Sequence, residues 1–199
     1  MDWSLFHELN GSLRGVDGAQ DATRFVNAWA IFVVVAVAAA TWFFARPGGS
    51  LRSKLAAVSA GAAAVIGLAV NAVLGNIWFH ERPFAAHPKQ TLLLVRHAAD
   101  NSFPSDHATV AFAVAFAVLV FHKRLGLLLL AGAVVVGLAR ILVGVHYPVD
   151  VGASVLVGLG SALLVTTAGR RYVEWSVRQA SRLSDPVVAA ALRALRRGG

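Results

Sequence analysis

Two histidines in a chain dominated by hydrocarbon raise the question of chemistry. His107 closes the stretch Pro104-Ser105-Asp106-His107, and His146 stands four residues before Asp150. A carboxylate on one ring nitrogen fixes the imidazole tautomer and makes the other nitrogen more basic or nucleophilic. Arg140 lies six residues before His146, and Arg82 precedes a proline in the segment ahead of His107. Arginine suits multidentate phosphate oxygens, and its charge is not lost by deprotonation. Pro104-Ser105 and Pro148 read as two helix starts, whose free backbone N–H groups favour an anion. Together these residues describe phosphoryl transfer through a histidine. His146 attacks phosphorus, and His107 protonates the leaving oxygen and later deprotonates the water that releases phosphate. Arg82, Arg140 and Ser105 stabilise the charge on the transferring group. This chemistry requires no metal or other cofactor, and the sequence carries no aspartate cluster of the kind that holds Mg²⁺.

These groups must be positioned by membrane helices. Hydrophobic side chains make up 57% of the 199 residues, charged ones 14%, and mean hydropathy is +0.66. Several runs approach the roughly 20 apolar residues that span a bilayer. The expected fold is an all-α, polytopic membrane bundle, because lipid leaves open backbone groups without partners. Five spans are predicted, at about 25–45, 55–79, 107–121, 125–145 and 149–168. Residues 1–199 read as a single integral membrane domain with a motif core over 82–150 and a basic tail over 170–199. The stripe Ser154, Gly158 and Ala162 reads as a helix-packing face. No cleavable signal peptide is read in the polar first 23 residues. There are no cysteines, which excludes disulfides, thiol catalysis and cysteine metal ligands.

Charge sets the expected orientation. Arg46, Arg52 and Lys54 lie between spans one and two, and Lys123 and Arg124 between spans three and four. Arg170, Arg171, Arg178, Arg182, Arg193, Arg196 and Arg197 follow span five, giving one face twelve of the eighteen basic residues. That face is read as cytoplasmic, so the chain is expected N-out and C-in. The net charge of +8 belongs to membrane-flanking residues and does not indicate nucleic acid. In the tail, Val187, Val188, Ala191, Leu192 and Leu195 recur at helical spacing opposite arginines, as in a helix lying on anionic lipid. A frayed basic tail is the other reading of that segment. Asp2 to Leu13 is read as a second interfacial helix.

On the outer face remain the loop from His80 to Asp106 and the turn around Val145 to Pro148. Most conspicuous polar residues lie in or beside these two places. Asp106 reads either as a site residue or as half of a structural salt bridge. Glu81 reads as a solvated loop residue, with partner of a site arginine as the alternative. Asn71 and Asn76 are expected to make interhelical hydrogen bonds, with Asn76 the nearer to the site. His80, His87, Lys89, Arg96 and His97 read as solvated loop residues, and His122 as part of the turn at the opposite face.

The chain resembles the type-2 phosphatidic acid phosphatase superfamily of membrane lipid phosphatases. That family's motifs are Lys-x6-Arg-Pro, Pro-Ser-Gly-His and Ser-Arg-x5-His-x3-Asp. They correspond here to Arg82-Pro83, to Pro104 through His107, and to Arg140, His146 and Asp150. Gly75 stands where the family has lysine, Asp106 where it has glycine and Ala139 where it has serine. The wording of Arg-Pro-Phe at 82–84, of residues 100–109 and of His-Tyr-Pro-Val-Asp at 146–150 resembles the bacterial undecaprenyl-diphosphate phosphatase branch. The resemblance implies an outward-facing site in a bacterial plasma membrane and removal of one phosphate from a polyprenyl diphosphate. It also implies a link to bacitracin tolerance. The partners expected are that lipid, or another phospholipid substrate, and the bilayer; oligomeric state is left open. A phosphatase for phosphatidic acid or phosphatidylglycerophosphate is the first alternative. A transporter and an inactive lipid-phosphate binder are the others, the latter because of Gly75.

Overall fold

A computed structural model describes residues 2–44 and 50–197, without the side chains of 44, 187–189 and 191–197. Arg46, Val187, Val188, Ala191, Leu192, Arg193, Leu195, Arg196 and Arg197, used above for orientation and for the tail, therefore lie outside the described side chains.

Eight helices follow one another: α1 (Asp2–Gly11), α2 (Asp17–Phe44), α3 (Leu51–Ile77), α4 (Pro83–Ala86), α5 (Asp106–Phe121), α6 (Lys123–Leu142), α7 (Pro148–Thr166) and α8 (Arg170–Arg197). Helices α2, α3, α6 and α7 are each long and apolar enough to cross a membrane. The chain is a multi-pass membrane protein. The five expected spans correspond to α2, α3, α5, α6 and α7, with shifted boundaries. Helix α2 begins at Asp17, well before residue 25, because its polar first turns satisfy themselves in water. Asp21 and Arg24 there form an exposed ion pair at 2.6 Å.

Helix α5 matches its expected span to within one residue and is the shortest of the five. Its 16 residues reach about 24 Å at ~1.5 Å per residue, short of a hydrocarbon core of ~30 Å. Its surroundings explain the short length. Ala108, Thr109, Ala111, Ala113, Ala115, Ala117 and Val118 are wholly buried, and α5 packs against α2, α3, α6 and α7. A helix enclosed by protein need not match the bilayer, and it is apolar on every side. The packing stripe on α7 meets it directly. A methyl group on Gly158 would lie 2.8 Å from the Ala113 backbone nitrogen, so only glycine permits that approach. Leucines and valines on the outer faces, such as Val65, Val73 and Leu156, remain exposed toward lipid.

The terminal helices pack more closely on the bundle than an interfacial reading implies. In α1, Phe6 is wholly buried against Ile141 and Tyr147. Asn10 donates to the carbonyls of Leu92 and Leu142 at 2.9 Å and accepts from the Leu92 N–H at 2.8 Å. The tail is a helix, and α8 inserts Val173 and Val177 into the core. Lys54, counted above among the basic residues between spans one and two, is 4% exposed in the first turn of α3. Its ammonium reaches Asp185 of α8 at 2.5 Å and Ser181 at 3.0 Å.

Candidate active site

The turn between α6 and α7 builds one wall of the site. Gly144 takes φ +88° with the Leu92 carbonyl pressed against it, leaving no room for a Cβ. The Leu94 N–H donates to the Val143 carbonyl at 3.0 Å. The chain thus leaves α6, turns under the long loop and presents His146 inward, 3% exposed. Tyr147 caps α7 and Pro148 opens it. Asp150, in the first turn, is wholly buried and accepts the Tyr147 N–H at 2.8 Å through Oδ2. The i, i+4 placement expected for His146 and Asp150 is present, with Nδ1 and Oδ2 3.6 Å apart. The Ser102 hydroxyl bridges them: it donates to Asp150 Oδ2 at 2.5 Å and lies 3.3 Å from His146 Nδ1.

The other ring nitrogen of His146 faces Arg82. Arg82 Nη1 donates to Nε2 at 3.1 Å and to the Val145 carbonyl at 3.0 Å. Its Nη2 donates to the Asn101 carbonyl at 3.0 Å, and its Nε to Asp100 at 2.7 Å. Burial would raise the Asp100 carboxyl, but the hydrogen bond and charge of Arg82 hold it below the ordinary carboxylate range. Burial pushes His146 down to about 4, helped by the charges of Arg140 and Arg82 and opposed by Asp150. The imidazole is therefore neutral at neutral pH. A proton on Nδ1, toward Ser102 and Asp150, leaves the Nε2 lone pair toward the arginine.

The second wall is the start of α5. Ser105 is wholly buried, and its hydroxyl has no hydrogen-bond partner among the described residues. It does not cap its own helix; its carbonyl accepts from Ser154 at 3.0 Å. Arg140, 4% exposed near the end of α6, donates through Nη1 to Asn27 of α2 at 2.9 Å, while its Nε has no partner among the described residues. Buried donors without partners are rare in folded proteins. Two of them here, on a serine and an arginine, fit the oxygens of a phosphoryl group. His107 is exposed on the first turn of α5. Among the described residues no three His, Cys, Asp or Glu side chains are placed to hold a metal ion.

Several expectations are corrected. Glu81 pairs with no arginine among the described residues; Asp100 is the carboxylate on Arg82. Asn76 is exposed and makes no hydrogen bond among the described residues, whereas Asn71, deeper in α3, donates to Asp106 at 2.8 Å and to Thr109 at 3.0 Å. Asp106 is thus held by an amide, with no salt bridge among the described residues. His80 is no solvated loop residue either, since its Nδ1 lies 2.9 Å from Asp150 Oδ1. His97 also borders the site, its ring 6.5 Å from that of His146.

Sequence reasoning missed Ser102, Asp100, Asn101, Asn27 and the role of His80. Asn101 organises the loop: its amide nitrogen donates to the carbonyls of Gly75 and Trp78, and its oxygen accepts from His80 and Phe103. Asp100, Asn101 and Ser102 stand one residue, Phe103, ahead of the Pro-Ser motif and inside the 100–109 stretch that carries the resemblance, and that placement is the signal that could have drawn attention to them.

A membrane helix bundle with two histidines, two arginines and a buried acid near one end defines a class, the membrane lipid phosphatases. The chain belongs to the PAP2 superfamily, whose sequence profile matches residues 55–173. It is 34% identical over 159 residues to undecaprenyl-diphosphatase BcrC of Bacillus subtilis (strain 168), covering 80% of this chain and 79% of the relative. It is 40% identical over 114 residues to a Bacillus licheniformis protein named bacitracin transport permease protein BcrC, covering 57% and 56%. Among solved structures, Aquifex aeolicus LpxE shares the fold, with a TM-score of 0.66 at 21% identity over 82% of this chain and 93% of that one.

Proposed function

We propose that the chain hydrolyses undecaprenyl diphosphate to undecaprenyl phosphate and inorganic phosphate, and so returns a polyprenyl carrier to use. The observation that carries the chemistry is the pair of unpartnered buried donors, Ser105 Oγ and Arg140 Nε, at the end of the bundle that holds a neutral His146. The family and the relative of known name carry the substrate.

In this reading Arg82 Nη1 turns from His146 Nε2 to a phosphoryl oxygen, the freed Nε2 lone pair attacks the terminal phosphorus, and the bond from phosphorus to the bridging oxygen breaks. The pair of electrons leaves with that oxygen, which His107 protonates as undecaprenyl phosphate departs. Water then attacks the phosphohistidine phosphorus, the P–N bond breaks with its electron pair returning to His146 Nε2, inorganic phosphate leaves, and His107 takes the water proton. Asp150 and Ser102 support the positive charge that His146 acquires. Arg82, Arg140, Ser105 and the first N–H groups of α5 hold the phosphoryl oxygens, where they stabilise charge as it spreads in the transition state. Asp106, Asn76 and Glu81 have no step in this scheme. No resident metal enters it. The permease name of the second relative suggests transport. Gathering of the charged groups at one end of the bundle supports hydrolysis at the membrane surface instead.

The orientation that fits this reading is N-out and C-in in a bacterial plasma membrane, with the site outside. The test is phosphate release by purified protein from undecaprenyl diphosphate, phosphatidic acid and phosphatidylglycerophosphate, with EDTA present. Release from undecaprenyl diphosphate by the wild type, with none by His146→Ala, is the expected result. Preference for phosphatidic acid would move the substrate assignment to another lipid phosphate. Loss of activity in EDTA would overturn the metal-free scheme.

A further inference from the structure

Asp150 serves two histidines. Its Oδ2 accepts from Ser102 and the Tyr147 N–H and faces His146, while Oδ1 lies 2.9 Å from His80 Nδ1. A buried carboxylate oxygen without a donor is costly, and a carboxylate held by one oxygen alone is free to rotate. His80 is itself fixed on three sides. Its N–H donates to the Asn101 side chain at 3.0 Å, and its carbonyl accepts from the Ser102 N–H at 2.8 Å. Its ring stacks on Tyr147, with centroids 4.8 Å apart and planes at 24°. The loop that carries Ser102 to one carboxylate oxygen thereby carries His80 to the other.

We propose that His80 is a positioning residue for the nucleophile, acting through Asp150. Its Nδ1–H holds Oδ1, so that Oδ2 points at Ser102 and His146. That orientation keeps the His146 proton on Nδ1 and the Nε2 lone pair toward Arg82. His80 touches neither the phosphoryl group nor His146. Its side chain is 30% exposed while that of Asp150 is wholly buried, so it closes the carboxylate off from water on the loop side. The proposal rests on the reading of His146 as nucleophile.

The test compares His80→Ala, which removes the donor, with His80→Asn, whose amide nitrogen stands where the imidazole has Nδ1. On undecaprenyl diphosphate, His80→Ala is expected to lower kcat about tenfold with KM within about twofold. His80→Asn is expected to recover most of that loss. Nitrogen-15 histidine spectra of the protein in micelles, with the His146 signal assigned through His146→Gln, read the tautomer without turnover. The Nδ1–H form of His146 should decline in His80→Ala and return in His80→Asn. Unchanged kcat and tautomer in His80→Ala overturn the proposal. Equal losses in both variants also overturn it, because they would make the ring a packing element. A wild type inactive on every lipid phosphate overturns the proposed activity, while the tautomer still decides whether His80 positions His146.

Discussion

The His146 imidazole and the Asp150 carboxylate approach no closer than 3.6 Å, and the Ser102 hydroxyl fills the gap. The direct contact is too long for a hydrogen bond, so orientation of the ring passes through the serine. Ser102→Ala is expected to lower kcat by about tenfold, the scale of one lost bond to a charged group. Asp150→Asn, which removes the charge and disturbs the tautomer, is expected to cost on the order of a thousandfold or more. Steady-state phosphate release by the two variants checks this order. A Ser102→Ala enzyme with wild-type kcat would mean that the imidazole and carboxylate close the gap unaided.

Burial of neutral His146 makes stability depend on pH. Its folded value of about 4 lies below the ordinary 6.5, so the unfolded chain binds the proton more readily between those values. Stability from this group is complete above pH 6.5 and is lost as pH falls toward 4, amounting to roughly 3 kcal/mol at the limit. Thermal unfolding in detergent at pH 7 and pH 4.5 should show a marked loss in wild type. A smaller loss is expected in His146→Gln, where nothing titrates at that position. Identical pH dependence in the two proteins would contradict this account.

The parts of the site legible in the sequence are those set by local geometry. A proline start places Asp150 one turn after His146, and that i, i+4 spacing survives in the structure. Ser105 at the head of α5 is legible for the same reason. The loop from Phe79 to Ser105 is different, because its order comes from hydrogen bonds between residues 18 to 70 positions apart, such as Arg82 to Asp100 and His80 to Asp150. No periodicity encodes those pairings, so His80 reads as a solvated loop residue, Asp100 draws no reading of its own, and Glu81 is the acid put forward for a site arginine by adjacency alone. Helix α5 was readable as a short apolar run, but its enclosure by four helices depends on packing partners far away in the chain. Lys54 shows the same limit: in the sequence it is one cation of the link between two spans, and its burial against Asp185 and Ser181 comes from docking of α8.

That docking has a measurable consequence. Lys54 is 4% exposed and its salt-bridge partner is Asp185. The ring of Trp42 also lies 5.2 Å from its ammonium. Asp185→Asn leaves a buried cation with a weaker partner, at a cost of about 1–3 kcal/mol. The expected result is a lower unfolding temperature, with kcat and KM on lipid phosphate unchanged because α8 lies at the opposite end of the bundle from His146. A variant with unaltered stability would show that the pair contributes nothing net. A variant with lowered kcat would show that α8 acts on the site.

Gly75 gives a prediction whose sign opposes the family pattern. The family places lysine there, so Gly75→Lys would seem to restore a phosphate contact. The structure argues for loss. A Cβ on Gly75 would lie 3.3 Å from Asn101 Nδ2 and 3.6 Å from the Phe103 carbonyl. Asn101 has little freedom to withdraw, because that nitrogen donates to both the Gly75 and Trp78 carbonyls while its oxygen holds His80 and Phe103. The Asn101 carbonyl in turn accepts from Arg82. Displacement at residue 75 is therefore transmitted to the arginine that faces His146. Gly75→Ala is expected to lower kcat/KM severalfold, and Gly75→Lys at least as much, about tenfold being the scale of a contact misplaced near the reacting centre. Phosphate-release kinetics of both variants decide the matter. Higher activity in Gly75→Lys than in wild type would mean that the loop yields and that a lysine there reaches the phosphate.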